Sequence, residues 1–227
     1  MEKPRVKICC IQSIQEAELA IRHGASALGL VSEMPSGPGP IPEERIADIA
    51  SAVPRGIETF LLTSKKDADS VVGQQRRTNV TTLQLVDAFA IDGYEILRES
   101  LPGIRIVQVI HVTGSTSVKE ALIAAKHVDA LLLDSGNPLL PTKELGGTGR
   151  THDWSVSRRI RESVDVPIYL AGGLKPENVR RAIDAVTPHA VDVCSGVRTE
   201  GALDDSKLKA FFDAINKIGA TGRSPLP

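Results

Sequence analysis

Ala130-Leu131-Leu132-Leu133-Asp134, followed after a short gap by Gly146-Gly147-Thr148-Gly149-Arg150-Thr151-His152-Asp153-Trp154, carries the pattern on which the whole chain is built. An apolar run ending on a carboxylate reads as a buried strand that delivers an acid, and residues 156–163 behind it have the apolar spacing of a helix. Between them, three glycines in four residues let the backbone approach a ligand closely or take up positive φ. The unit is strand, glycine lip, helix.

The same unit recurs in both directions. Residues 6–11 are β-favouring, Ser13 opens a helix over 14–21, and Gly24 closes it. Residues 25–31 form a second strand, Ser36-Gly37-Pro38-Gly39-Pro40 an irregular loop, and Pro42-Glu43-Glu44-Arg45 the first turn of another helix. Strands over 59–62, 82–85, 104–111, 130–134, 167–171 and 190–194 then alternate with helices around 68–72, 94–97, 118–126, 156–163, 176–185 and 208–215. Continuous apolar strands alternating with amphipathic helices imply a parallel sheet covered on its outer side. Eight such units in about 220 residues predict an α/β fold of one domain, a single (β/α)8 TIM barrel over residues 1–218. Residues 219–227, rich in Gly, Ser and Pro, read as a flexible C-terminal tail.

Composition narrows the functional classes. With 227 residues, 41% of them hydrophobic, the chain can bury one large core without a metal or disulfide staple. A net charge of -1 and an aromatic share of 3% supply neither the basic field nor the stacking platforms that nucleic-acid binding needs. No apolar run reaches the roughly 20 residues of a membrane span. Cys9, Cys10 and Cys194 lack metal-ligand spacing, which fits a reducing cytoplasm, and no metal or cofactor is expected.

Working residues of such a barrel lie at the C-terminal ends of its strands. The first strand delivers Cys9, the fourth ends at Gln84-Leu85-Val86-Asp87, the fifth at His111 and the sixth at Asp134. By strand alternation Lys7 shares the face of Cys9 one layer down, whereas Cys10 points into the layer between sheet and helices. Gly172-Gly173 leave the seventh strand and Ser195-Gly196 the eighth, the position where this fold usually holds a phosphate. With Asp192 on that last strand and Gly147 and Gly149 in the lip, these residues form the expected phosphosugar site. The lip lacks the Lys-Ser/Thr pair of a nucleotide-binding P-loop. Trp154 reads as packing.

Lys7-Ile8-Cys9, Leu132-Leu133-Asp134 with the 146–154 lip, Gly172-Gly173-Leu174-Lys175-Pro176-Glu177-Asn178-Val179 and Val191-Asp192-Val193-Cys194-Ser195-Gly196-Val197 together resemble the phosphoribosylanthranilate isomerase family of tryptophan biosynthesis. The resemblance implies an Amadori rearrangement of a small phosphosugar substrate, without metal or cofactor, by a monomer or homodimer. It assigns general base to Cys9 and general acid to Asp134. Three departures cluster on the side of the aromatic amine. Cys10 stands where the family has glycine, Val86-Asp87 replace His-Gly, and residues 32–42 lack the arginine that grips the anthranilate carboxylate. Arg150 and Arg198 are the candidate replacements. The alternatives are a paralogous isomerase of another phosphosugar amine and a non-catalytic sugar-phosphate-binding barrel.

Overall fold

The computed structural model describes residues 3–216. Eight strands, β1 (Arg5–Ile8), β2 (Ala27–Val31), β3 (Glu58–Thr63), β4 (Thr82–Leu85), β5 (Arg105–His111), β6 (Ala130–Asp134), β7 (Ile168–Leu170) and β8 (Ala190–Val193), pair in sequence order. All are parallel, and β1 closes on β8 with Lys7 opposite Asp192. The helices are α1 (Ile14–His23), α2 (Glu43–Ala52), α3 (Ala68–Thr78), α4 (Ile91–Ser100), α5 (Thr116–Ala124), α6 (Trp154–Ser163), α7 (Val179–Val186) and α8 (Asp205–Asn216). The closed (β/α)8 barrel expected from the eightfold repeat is the fold. The tail expected at 219–227 lies outside the described residues.

Local chemistry sets the element ends. Ser13 Oγ accepts from the Glu16 backbone N–H at 3.1 Å, and Gly24 ends α1 in the left-handed region at φ 106°. The expected helix over 176–185 starts later, at Val179, because Asn178 is used in a turn. Its Oδ1 accepts from the Lys175 N–H at 2.8 Å, and its Nδ2 donates to the Gly173 carbonyl at 2.9 Å.

Two apolar clusters follow from the twofold alternation of the strands. Ile8, Leu28, Leu61, Leu83, Ile106 and Leu131 face the helices, against residues such as Ile46, Ile160 and Phe211. Val31, Phe60, Leu62, Val107, Leu132 and Tyr169 fill the barrel interior. Fully burying each Leu, Ile or Phe contributes about 1.5–3 kcal/mol, so these two layers dominate the stability of the barrel. Beyond the repeat, a short antiparallel hairpin, β9 (Arg198–Thr199) and β10 (Ala202–Leu203), separates β8 from α8. Among the described residues no helix is long and apolar enough to cross a membrane.

Candidate active site

A pocket opens at the C-terminal end of the barrel. Cys9 after β1, Asp134 at the end of β6, Gly147 and Gly149 of the lip, Gly172 and Gly173 after β7, Asp192 on β8 and Ser195 after it all line it. Strand ends separated by more than a hundred residues in sequence thus converge, as barrel closure requires. Gly196 lies beneath rather than on the wall: a Cβ there would overlap the carbonyl oxygen of Leu174.

The two proton-handling candidates are both buried, Cys9 at 6% exposure and Asp134 at 8%. Burial pushes the Asp134 carboxyl up, against the Ser135 N–H that donates to its Oδ1 at 2.7 Å, so the protonated, proton-donating form is favoured. Burial also pushes the Cys9 thiol up to about 11; Lys7 pulls against that rise and Asp192 adds to it. Lys7 is wholly enclosed, with Nζ donating to Asp192 Oδ2 at 2.9 Å and lying 5.1 Å from the centre of the Phe60 ring. Burial alone would push its ammonium down, but Asp192 and Cys9 outweigh burial and hold it above its ordinary value.

The arc of wall between Cys9 and Asp134, at the exits of β7 and β8, has the form of an anion cradle. Gly172 and Gly173 are consecutive left-handed residues, φ 81° and 60°, a conformation that turns successive N–H groups one way and that side chains resist. A Cβ on Gly173 would also lie 2.5 Å from the Arg150 carbonyl carbon, so the lip rests directly on the exit of β7. A single 3-10 turn, Ser195–Val197, follows β8. Ser135 and Thr148 hydroxyls, 2.7 Å apart, tie the lip to the strand that carries Asp134. His152 Nε2 lies 2.6 Å from Ser157 Oγ, and burial lowers its pKa to about 4, which leaves it neutral near pH 7. The 36–40 loop closes the far rim through a hydrogen bond from Ser36 Oγ to the Lys143 carbonyl.

Neither candidate arginine is brought to the pocket wall. The Arg150 guanidinium is exposed and paired with Glu144. Arg198 is buried against α1, donating to Glu16 at 2.9 and 3.0 Å, to the Gly201 carbonyl at 2.8 Å and to the Cys10 carbonyl. Among the described residues no Lys or Arg lines the pocket; its amine-side wall is Val31, Met34, Leu62, Val86 and Leu145. Asp87 bonds Lys143 at 2.6 Å and Lys66 at 3.2 Å. His111 is buried beside Asp134 in the strand register, its Nε2 2.9 Å from the Val86 carbonyl. Trp154 packs against the outer core.

Cys10 corrects a sequence expectation. β1 ends at Ile8, and a left-handed backbone at Cys10, φ 61°, breaks the alternation that would have sent its side chain outward. It joins the inner cluster, lines the pocket and is disulfide-paired with Cys194, Cα to Cα 6.0 Å. Cys9 is the free thiol. Titration with a chromogenic disulfide in denaturant should therefore count one thiol per chain before reduction and all three cysteines after it; three thiols without reductant would refute the pairing.

The residues missed in the sequence are those that support others. Gly29 is the clearest: a Cβ there would lie 2.8 Å from Cys9 Sγ and 3.0 Å from Lys7 Nζ. A glycine inside an otherwise apolar strand was the available signal of close approach.

Closed barrel, glycine-lined strand exits and a buried acid and thiol on one pocket define a class: a (β/α)8 protein with its candidate site at the C-terminal strand ends. Residues 6–214 match the family model described as N-(5'phosphoribosyl)anthranilate (PRA) isomerase. The chain belongs to that family. The N-(5'-phosphoribosyl)anthranilate isomerase of Methanosarcina acetivorans is 34% identical over 94% of this chain and 93% of its own. That of Haloferax volcanii is 35% identical over 94% and 93%. Among solved structures, the Thermotoga maritima phosphoribosyl anthranilate isomerase superposes with TM-score 0.80 at 29% identity, covering 95% of this chain and all of that one. A phosphoribosyl anthranilate isomerase in complex with reduced 1-(o-carboxyphenylamino)-1-deoxyribulose 5-phosphate gives 0.79 at 27% identity, with the same coverage.

Proposed function

We propose that this protein is an intramolecular aldose-ketose isomerase that converts N-(5-phosphoribosyl)anthranilate to 1-(2-carboxyphenylamino)-1-deoxyribulose 5-phosphate in tryptophan biosynthesis. The observation that carries the reading is the placement of Asp134 and Cys9 in one pocket with the Gly172-Gly173 and Ser195 strand exits. Asp134 gives its proton to the furanose ring oxygen as the bond from that oxygen to the anomeric carbon breaks; the amine lone pair forms the carbon–nitrogen double bond of the Schiff base. The Cys9 thiolate then takes the proton from the adjacent sugar carbon, and that C–H electron pair becomes the carbon–carbon double bond of an enamine, neutralising the nitrogen. Tautomerisation of the enol yields the ketose. General acid and base each contribute typically 10²- to 10⁴-fold.

Phosphate is held by the backbone N–H groups of Gly172, Gly173 and Ser195, with Gly196 packed beneath them and Gly147 and Gly149 folding over the sugar. Arg150 and Arg198 hold acidic partners of their own, so neither is the carboxylate contact in this geometry. The apolar wall of Val31, Met34, Leu62, Val86 and Leu145 is suited to an aromatic ring and supports a second reading, an isomerase of a phosphosugar amine without the carboxylate. Both readings are tested by one assay. Purified protein is given phosphoribosylanthranilate, with loss of its anthranilate-type fluorescence followed, and in parallel the aniline analogue, with ketose formation followed. Turnover of the first supports the proposed reaction, turnover of the second alone supports the other isomerase, and turnover of neither with retained ribose 5-phosphate binding leaves a binding barrel.

A further inference from the structure

We propose that Lys7 is a positioning residue for the base: its ammonium, held over Gly29 beside the Cys9 sulfur, stabilises the thiolate that removes the proton from the sugar carbon. This rests on the reading of Cys9 as base. Lys7 on β1 and Cys9 just after its end are successive inward-facing residues, yet a long ammonium side chain would normally run past a neighbouring thiol toward solvent. Three features turn it back. Asp192, opposite Lys7 in the β1–β8 register, takes its Nζ at 2.9 Å. The Phe60 ring on β3 lies 5.1 Å from that Nζ, presenting its negative face to the cation. Gly29 on β2 leaves open the space into which both Nζ and Sγ project, since a single methyl there would meet the two atoms at 3.0 and 2.8 Å.

The arrangement is poorly explained by stability. Replacing a buried ion pair with apolar residues of similar volume is often neutral or stabilising, and the surrounding interior is already apolar. A function through Cys9 accounts for it better. The charged groups facing the sulfur are Lys7 on β1, Asp192 on β8 and Arg198 on β9, with Asp134 on β6 lining the same pocket. Asp192 opposes the thiolate. Arg198 assists it least, because its charge is matched by both oxygens of Glu16. Lys7 is the group whose position favours sulfur as an anion. It exchanges no proton: the proton passes from carbon to sulfur, the electron pair goes to the new carbon–carbon double bond, and the ammonium remains bound to Asp192.

The test measures the thiol directly. In a Cys10→Ser/Cys194→Ser background Cys9 is the sole thiol, and its alkylation by iodoacetamide below the midpoint of its titration is proportional to its thiolate fraction. Removing a cation at contact distance moves a pKa by about one to three units, so Lys7→Met should slow alkylation at about pH 9 by tenfold or more. With native cysteines, kcat should fall by about tenfold or more while KM changes less than about threefold, and Lys7→Arg should recover part of both losses. Unchanged alkylation in folded Lys7→Met overturns the proposal. Where that variant does not fold for want of a partner to Asp192, Lys7→Met/Asp192→Asn replaces it. Lys7 outweighs Asp192 at the sulfur, so alkylation should still slow, and an equal or faster rate overturns the proposal. Failure of the wild type to isomerise phosphoribosylanthranilate would refute the proposed reaction, while the alkylation profile would still decide the role of Lys7.

Discussion

Asp134→Asn should lower kcat/KM for phosphoribosylanthranilate by about 10²- to 10⁴-fold, and the loss should be greatest at low pH. Asparagine keeps the shape of the side chain and can still accept the Ser135 N–H, so the strand end is preserved. It has no proton to give to the ring oxygen. The pH dependence follows from two opposed requirements, a thiolate at Cys9 and a carboxylic acid at Asp134. Burial raises both groups, the thiol to about 11 and the carboxyl above its ordinary value. While Asp134 and Cys9 are both mainly protonated, the thiolate fraction limits the reaction and kcat/KM climbs about tenfold per pH unit. Once Asp134 ionises, each further unit loses tenfold in carboxylic acid, so the wild-type profile bends away from that climb. In Asp134→Asn the acid requirement is gone, and the residual rate should follow the thiolate fraction alone, without that bend. Rate measurements from about pH 6 to about pH 9.5 distinguish the two shapes. A parallel, merely lower profile in the variant would remove Asp134 from the acid role.

The barrel was legible because its signals are local. Eight apolar runs of strand length, caps such as Ser13 and Gly24, and helical spacing between them each recur without reference to distant residues. Cys9 and Asp134 were legible for a related reason: the fold sends strand ends to one face, so a polar residue closing an apolar run is already placed. What the sequence hid depends on backbone inversion or on partners far along the chain. Alternation sends Cys10 outward, and one left-handed residue reverses that. Arg198 looked free for a carboxylate, but Glu16, 182 positions earlier, holds it through α1. Lys7 meets Asp192 across 185 positions, a pairing that exists only because β1 closes on β8. The amine-side wall was hidden in another way. The missing arginine was visible, whereas the apolar surface in its place is assembled from β2, β3, the exit of β4 and two loops.

Gly196→Ala should weaken ribose 5-phosphate binding by about 30-fold or more and raise KM for the full substrate in the same proportion, with a smaller effect on kcat. A methyl at this position would overlap the carbonyl oxygen of Leu174 and come within 3.0 Å of Lys175 Cα, both backbone atoms that no side-chain rotation can clear. Either the Ser195–Val197 turn or the 172–175 segment must move. Those two segments are the proposed phosphate cradle, so the displacement separates N–H groups that would converge on one anion. Each hydrogen bond to a charged group contributes about 1.5–3 kcal/mol, and misplacing one or two accounts for the expected loss. Stability should fall too, by about 1–3 kcal/mol, the usual cost of overpacking. A control separates the two effects. Gly56 has φ 97° with open space around its would-be Cβ, so Gly56→Ala introduces backbone strain of about 1 kcal/mol or more away from the pocket. Calorimetric titration with ribose 5-phosphate should find binding unchanged in Gly56→Ala and weakened in Gly196→Ala, even where their melting temperatures fall alike. Equal affinity in both would show that the strand-eight exit does not carry the phosphate. The anion would then have to be held by the lip and by Gly172-Gly173 alone.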